Sequence, residues 1–157
     1  MKIVALDPGT KSGVTITNGT VFETQLWDVK AKPKTKKHPG EPKHYRLFHL
    51  WELLEQYAWD AKFIVCEGAL GFLRGQSAVE ASHKYRAVIE LFSILNAVEL
   101  VMIEPNDLKF FALGKRSGDK REMIQAAQRL GYVGNSDDEA DSYLMAKWFV
   151  ANRMGVK

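Results

Sequence analysis

The segment IVALDPGTKSGVTI, residues 3–16, joins two apolar strands through a short polar turn. Its first strand ends in Asp7, although aspartate is a poor strand former and its charge is costly to bury without a partner. Pro8 and Gly9 follow at once, so the chain leaves the strand directly after the carboxylate. We therefore expect a cation or a hydrogen-bonding group to hold the charge at this strand end.

Length and composition restrict the class of protein. The chain has 157 residues, 46% of them hydrophobic, which suits one domain with a substantial core. A single cysteine, Cys66, excludes an internal disulfide and any zinc motif built on two cysteines. No apolar stretch approaches the ~20 residues that cross a bilayer, and MKIVALDPG turns polar too early for a signal peptide. We expect a cytoplasmic protein with no membrane association.

Hydrophobic periodicity predicts the elements of an α/β fold. Asn18-Gly19 separates two β-branched runs, which is a strong hairpin signal. A lysine- and proline-rich segment at 30–43 predicts a flexible basic loop within a single domain spanning 1–157. The predicted order is a mixed five-stranded sheet flanked by helices. The strands are expected at 2–6, 13–18, 21–29, 62–67 and 98–104, and the helices at 44–59, 77–97, 105–113, 119–130 and 136–152.

Two carboxylates follow apolar strands in the same way. Asp7 ends IVALD, and Glu67 ends FIVCE. Because ligand sites in open α/β sheets lie at the carboxyl ends of strands, these two side chains could face each other on neighbouring strands. Taken alone, each is better explained as the first residue of a loop.

The last helix, NSDDEADSYLMAKWF, adds further acids. Ser136 and Glu139 form a capping-box pattern, and acids in a first helical turn complement the helix dipole. Asp141 lies beyond that turn and shares a face with Asp138, three residues earlier. Of the two adjacent aspartates, only Asp138 has an acid at this spacing. Apolar residues follow Asp141 at helical spacing, so we expect the pair to point toward the sheet.

Four converging carboxylates without matching buried cations predict a metal site. Oxygen-only ligation suits Mg²⁺ or Mn²⁺ rather than zinc. Two such ions ~3.5–4 Å apart can activate a water and stabilise the leaving oxygen of a phosphodiester. Gly9 and Gly13 would then let backbone and phosphate approach closely. The residues thus favour phosphodiester hydrolysis with Asp7 as a ligand.

At this point the chain resembles the RuvC family of Holliday-junction resolvases, within the RNase H-like nuclease superfamily. The resemblance covers nearly the whole chain and rests on the order and spacing of LDPGT, VCEG, LKFFALGKRSGDKREM and DEADS. The position of Gly13 is similar to that in the shorter, phage-type members, which implies a host cytoplasm. By this resemblance the catalytic acids that bind two Mg²⁺ ions are Asp7, Glu67, Asp138 and Asp141, and Lys109 and Lys120 lie near the cleaved phosphate.

The same resemblance implies an RNase H-like sheet and a homodimer acting in DNA recombination and repair. Its members place one active site on each of two strands of a four-way junction and nick them symmetrically. The predicted partner is therefore branched DNA, and no nucleotide cofactor is implied.

Basic residues are concentrated in two places. Seven of the 22 lysines and arginines fall within residues 30–46. A second cluster lies just before or at a helix start, where cations gain nothing from the dipole and an anionic ligand explains them better. Beside a metal–carboxylate site, DNA contact is favoured over a solvated surface. The predicted DNA-binding lysines and arginines are Lys30, Lys32, Lys34, Lys36, Lys37, Lys115, Arg116 and Arg121.

A glycine-bearing loop, GALGFLRGQ, follows Glu67 and contains Phe72 and Arg74. An aromatic side chain beside a phosphate site could stack on an unpaired base or wedge into a junction. Ordinary packing under the loop is the alternative for Phe72. Because the family has an aromatic residue in its equivalent loop, the resemblance favours DNA contact for both residues.

Three other functions are alternatives to a junction nuclease. A non-catalytic branched-DNA-binding module would use the acids for helix capping alone. An RNase H-type enzyme would cut RNA–DNA hybrid with the same carboxylates. LDPGTKSG also resembles the first phosphate hairpin of actin-like ATPases and sugar kinases, but 157 residues leave no room for the second phosphate loop and the nucleotide-clasping domain.

Overall fold

The computed structural model describes the backbone of residues 1–68 and 76–155, and the side chains of residues 1–68 and 79–155. The strands are β1 (Ile3–Asp7), β2 (Lys11–Thr17), β3 (Phe22–Asp28), β4 (Phe63–Glu67) and β5 (Glu99–Ile103). The helices are α1 (Tyr45–Ala58), α2 (Gln76–Asn96), α3 (Pro105–Leu113), α4 (Lys120–Arg129) and α5 (Asp137–Arg153). In the described part of the chain, no helix is both long and apolar enough to cross a membrane.

The five strands form one mixed sheet in the order β3-β2-β1-β4-β5. β1, β2 and β3 are antiparallel neighbours, whereas β4 pairs in parallel with both β1 and β5. The turn between β2 and β3 is held by the Asn18 side chain, which accepts from the amides of Thr20 and Val21. Gly19 adopts φ +99° there, so the predicted Asn-Gly hairpin is confirmed.

Helices cover both faces of the sheet because both faces are apolar. Along β1, Ile3 and Ala5 pack into one core with α3, α4 and α5. Val4 and Leu6 pack into the other core with α1 and α2. Cys66 is a free, buried thiol in that second core. The alternation of side chains along β1 thus decides which helices each residue meets.

The predicted α/β architecture is confirmed, and the observed bounds lie close to those expected from periodicity. Segment 30–43 differs from the expected flexible loop. It contains no helix or strand, but Thr35 and His38 form an antiparallel bridge within it. Backbone and side-chain hydrogen bonds join polar groups within this segment to one another.

Candidate active site

The carboxyl ends of β1 and β4 bring two acids together. Leu6 pairs with Cys66 in the parallel ladder, so Asp7 and Glu67 follow at adjacent strand ends. Residues at alternate positions share a face, and Ala5 and Val65 both lie in the core against α5. Asp7 and Glu67 therefore emerge on the α5 side of the sheet, where both are half-buried.

Helix α5 begins over this same edge. The Ser136 side chain accepts from the Glu139 amide and caps the helix. Glu139 does not complete the predicted capping box, because its carboxylate accepts instead from the Tyr132 hydroxyl at 2.9 Å. The expected placement of Asp138 and Asp141 beside the sheet is observed, and both are half-buried.

Two contacts fix the first turn of α5 against β2. A Cβ atom on Gly13 would lie 1.8 Å from the backbone oxygen of Asp138, so only glycine permits this approach. Farther along, the Ser142 hydroxyl donates to the Glu139 carbonyl and is 2.9 Å from the Thr15 hydroxyl. Because Ser142 has one proton, Thr15 donates to it. Gly13 thus admits the backbone of α5, as expected for the close approach of backbone at this glycine.

The four predicted acids are electrostatically coupled. Withdrawal from water and the nearby charges of Asp141 and Asp138 raise the pKa of Asp7 to about 7. Burial and Asp7 raise that of Glu67 to about 7. Burial and Glu67 do the same for Asp141, again to about 7. Burial also raises the pKa of Asp138. Sites that concentrate like charges in this way are typical of metal-binding and catalytic centres.

A cleft of about 220 Å³ opens at this cluster. α4 approaches it through a complete capping box, in which Asp119 and Glu122 satisfy each other's backbone amides. Lys109 projects from α3 close enough to Glu67 to lower the pKa that burial raises. The chargeable side chains that line the cleft are Glu67, Lys109, Asp119, Lys120, Asp137 and Asp141.

Lys120 forms an ion pair with Asp137, the first residue of α5. The hydrogen bond to Lys120 lowers the pKa of Asp137, while Asp137 raises that of Lys120. Asp137 therefore carries its charge at neutral pH. The pair joins the start of α4 to the start of α5 across the cleft. Sequence spacing gave no signal of it, since the two residues are 17 positions apart.

The donor set fits hard divalent cations. Four carboxylates with oxygen ligands only, facing two lysines, leave an excess of negative charge that Mg²⁺ or Mn²⁺ would neutralise. In their present side-chain conformations, the described residues form no group of three or more His, Cys, Asp or Glu side chains arranged to hold a metal ion. The chemistry of these side chains nevertheless fits such ions.

The remaining predicted contacts are distributed around this edge. Lys115 pairs with Glu122, so part of its charge is already compensated. Arg116 and Arg121 are exposed. Phe72 and Arg74 lie outside the described residues. The predicted lysines of the first cluster are all exposed, and they are Lys30, Lys32, Lys34, Lys36 and Lys37.

One further group near the site was not foreseen. The Thr10 hydroxyl, three residues after Asp7, lies 3.5 Å from the Tyr85 hydroxyl of α2. The Arg46 guanidinium stands 5.4 Å from the centre of the Tyr85 ring, and none of the described residues pairs with its buried Nε. Tyr85 is buried on α2 and carries this hydroxyl at the polar end of an otherwise apolar side chain.

Comparison with known proteins identifies the fold. No family model matches the chain, and no curated protein matches it in sequence. The structure of Thermus thermophilus RuvC in complex with a Holliday-junction substrate superposes with a TM-score of 0.71, at 16% identity over 99% of this chain and 96% of that one. A second T. thermophilus RuvC structure gives a TM-score of 0.65, at 15% identity over 99% and 97%. The predicted RuvC-like fold is therefore confirmed over nearly the whole chain.

Proposed function

We propose that this protein is a divalent-metal-dependent endonuclease that resolves four-way DNA junctions in the cytoplasm. The grouping of Asp7, Glu67, Asp138 and Asp141 carries the proposal, because three separate elements bring these acids close enough for their charges to interact, and Glu67 and Asp141 line one cleft. A structure with the same fold was solved with a Holliday junction bound. Structural capping explains neither the strand-end acids nor their raised pKa values.

Each residue of the cleft has a distinct task in this reaction. The four carboxylates would hold two Mg²⁺ ions, for which Mn²⁺ substitutes, and these supply an activated water and stabilise the leaving oxygen. Lys109 and Lys120 place positive charge on the side where a phosphate enters. Asp137 holds Lys120 at the rim rather than binding metal, since its charge is already compensated by that lysine. The result is hydrolysis of one phosphodiester per site.

DNA would cross the edge that carries the exposed basic residues. Arg116 and Arg121 lie near the cleft entrance, beside the capping box of α4. Phe72 and Arg74 remain candidates for contact with the junction centre. Contacts to phosphates position a duplex without reading its sequence, so selection for a branch would come from shape.

Paired nicks require two active sites, and we propose a homodimer. Helix α2 exposes three large apolar side chains on one stripe, Leu91, Ile94 and Leu95, with 51%, 76% and 64% of their surfaces accessible. A stripe of this kind suits burial against a second copy of the chain. Light scattering of the wild-type protein and of Ile94→Arg tests this. A dimer that becomes a monomer in the variant supports the proposal, and a monomeric wild type contradicts it.

Cleavage of a panel of labelled substrates tests the activity. The panel contains a four-way junction, a flap, linear duplex and RNA–DNA hybrid, each with Mg²⁺ and with EDTA. We expect paired symmetric nicks in the junction only, and none with EDTA. Preference for the hybrid would indicate an RNase H-type enzyme, and tight junction binding without scission would indicate a non-catalytic module.

A further inference from the structure

The segment between β3 and α1 contains a closed structure, residues 32–41, which we call the basic arm. The Glu41 amide donates to the Lys32 carbonyl at 2.9 Å, which joins its two ends. At its tip, Thr35 and His38 exchange backbone hydrogen bonds of 2.9 and 3.4 Å. Gly40, at φ +85°, donates its amide to Nδ1 of His38. The arm is therefore a short hairpin whose backbone groups satisfy one another.

One side chain fastens this hairpin to the body of the protein. Oε2 of Glu41 accepts from the Lys32 amide at 2.7 Å and from Nε2 of His49, on α1, at 2.8 Å. The side chains of Glu41 and His49 are only 11% and 16% exposed, so the contact is sheltered from water. The carboxylate of Glu41 thus both closes the hairpin and attaches it to α1.

The arm leaves the sheet at the edge that carries the acids. Val29, directly after β3, donates its amide to the Thr10 carbonyl at 3.1 Å, within the turn that follows Asp7. Lys11, the first residue of β2, pairs with Asp28, the last residue of β3. Since β2 runs antiparallel to β1, this end of β3 lies at the same edge as Asp7. The arm therefore starts at the strand-end edge of the sheet that carries Asp7.

The charges of the arm face outward. It carries four lysines and one glutamate, and that glutamate is occupied by Lys32 and His49. Lys34, Lys36 and Lys37 are exposed and pair with no acid among the described residues. Mutual repulsion of these lysines opposes the compact hairpin, so a polyanion alongside them would relieve it.

We propose that the basic arm is a preformed binding element for the phosphate backbone of a duplex arm flanking the cleavage site, and that Glu41 is the residue that positions it. This inference rests on the proposed junction-nuclease function. It names a place outside the cleft at which the protein binds the DNA junction. Ordering the arm before binding removes an entropy cost that a flexible lysine tract would pay on association.

A preformed arm and a flexible polycation predict opposite effects of one substitution on DNA affinity. Glu41→Ala raises the net charge of the arm, so a flexible polycation would bind DNA more tightly. A preformed arm loses both its closure and its attachment to His49, so binding weakens. Glu55→Ala is the matched control, because Glu55 is an exposed acid on α1, the helix that carries His49. Its removal changes the net charge of the protein by the same amount.

The test measures the affinity of the homodimer for a labelled four-way junction with long arms, in EDTA, across a series of salt concentrations. We expect Glu41→Ala and His49→Ala each to weaken binding by about three- to tenfold, and their combination to add little, because both break one contact. Glu55→Ala should bind as the wild type does. The double variant Lys36→Gln, Lys37→Gln should lower the magnitude of the slope of log K against log salt concentration by about 1.8. This is the change expected when two phosphate contacts are lost.

Each outcome decides the inference. Glu41→Ala binding as tightly as Glu55→Ala, or more tightly, overturns it, as does an unchanged salt slope in the double lysine variant. Thermal melting of each variant shows whether it is folded, and amide exchange at Thr35 and Glu41 in the free wild type reports the hairpin directly. Fast exchange there would also overturn the inference. Mg²⁺-dependent cleavage by the variants at saturating protein separates this result from failure of the proposed function, and a wild type that binds no DNA overturns both.

Discussion

Gly13 of β2 lies directly against the backbone of Asp138, so that a Cβ atom would stand 1.8 Å from the Asp138 oxygen and 2.7 Å from the next amide nitrogen. Gly13 also pairs with Asp7 across the antiparallel ladder. One glycine therefore sets the distance between the acid at the end of β1 and the acids at the start of α5.

Gly13→Ala should both destabilise the protein and displace Asp138 and Asp141. Because the contact is with backbone, the cost should reach the upper end of the overpacking range or exceed it, about 3 kcal/mol. Urea denaturation and a junction-cleavage assay measure the two effects. Val14→Ala is the control, since Val14 faces the other core and its truncation should lower stability while leaving cleavage intact at low temperature. Wild-type stability in the glycine variant would contradict the packing described.

Asp7→Asn should stabilise the metal-free protein at alkaline pH. The folded-state pKa of Asp7, about 7, lies above the ordinary value, so its contribution to stability is present below about pH 4 and is lost as pH rises through 7. In EDTA at pH 8 we expect the free energy of unfolding of the variant to exceed that of the wild type by about 1–3 kcal/mol. This difference should shrink toward pH 5. Added Mg²⁺ should stabilise the wild type selectively. A less stable variant at pH 8 would rule out a strained carboxylate cluster.

Asp137→Asn should slow cleavage without abolishing it. The substitution keeps the shape of the side chain but removes the charge that holds Lys120 at the cleft. We expect a rate reduction of about three- to tenfold, and no further reduction when Asp137→Asn is added to Lys120→Met, because the aspartate acts through the lysine. Single-turnover rates of the two single variants and the double variant measure the coupling. Additive losses would show that Asp137 acts independently, for example as a metal ligand.

The imidazole of His49 should titrate above its ordinary value of about 6.5. The hydrogen bond to Glu41 is the main cause of the raised pKa of His49, with smaller contributions from Glu52. The stabilising interaction is therefore present below pH 6.5 and is lost as pH rises through the folded-state pKa. NMR titration of the wild type and of Glu41→Ala checks this. The pKa should fall in the variant, and equal values in the two proteins would exclude the contact.

The fold could be predicted well because its signals are local. Alternation along β1, the Asn18-Gly19 turn and the three-residue spacing of Asp138 and Asp141 each depend on neighbours in sequence. The grouping of Asp7 with Glu67 followed from a general property of parallel strands, namely that their carboxyl ends meet at one edge. For these features, pattern and structure agree.

The contacts that were missed all join residues that lie in different elements or in the segments between them. Lys120 pairs with Asp137 because α4 and α5 start at the same cleft, which no periodicity encodes. Glu139 was expected to return to its own helix cap, but the Tyr132 hydroxyl competes for it. Glu41 lies in a segment whose composition predicted a flexible loop, and composition gave no sign of its contact with His49 of α1.

Cleavage of an end-labelled four-way junction by the wild type, Asp7→Asn and Asp141→Asn, under the same Mg²⁺ concentration and with binding measured in parallel, tests the central claim most directly. The carboxylate site predicts that the wild type nicks the junction and that each variant loses at least about a hundredfold in rate, while both still bind the junction. Wild-type cleavage rates in either purified variant would contradict the assignment of these acids to the reaction.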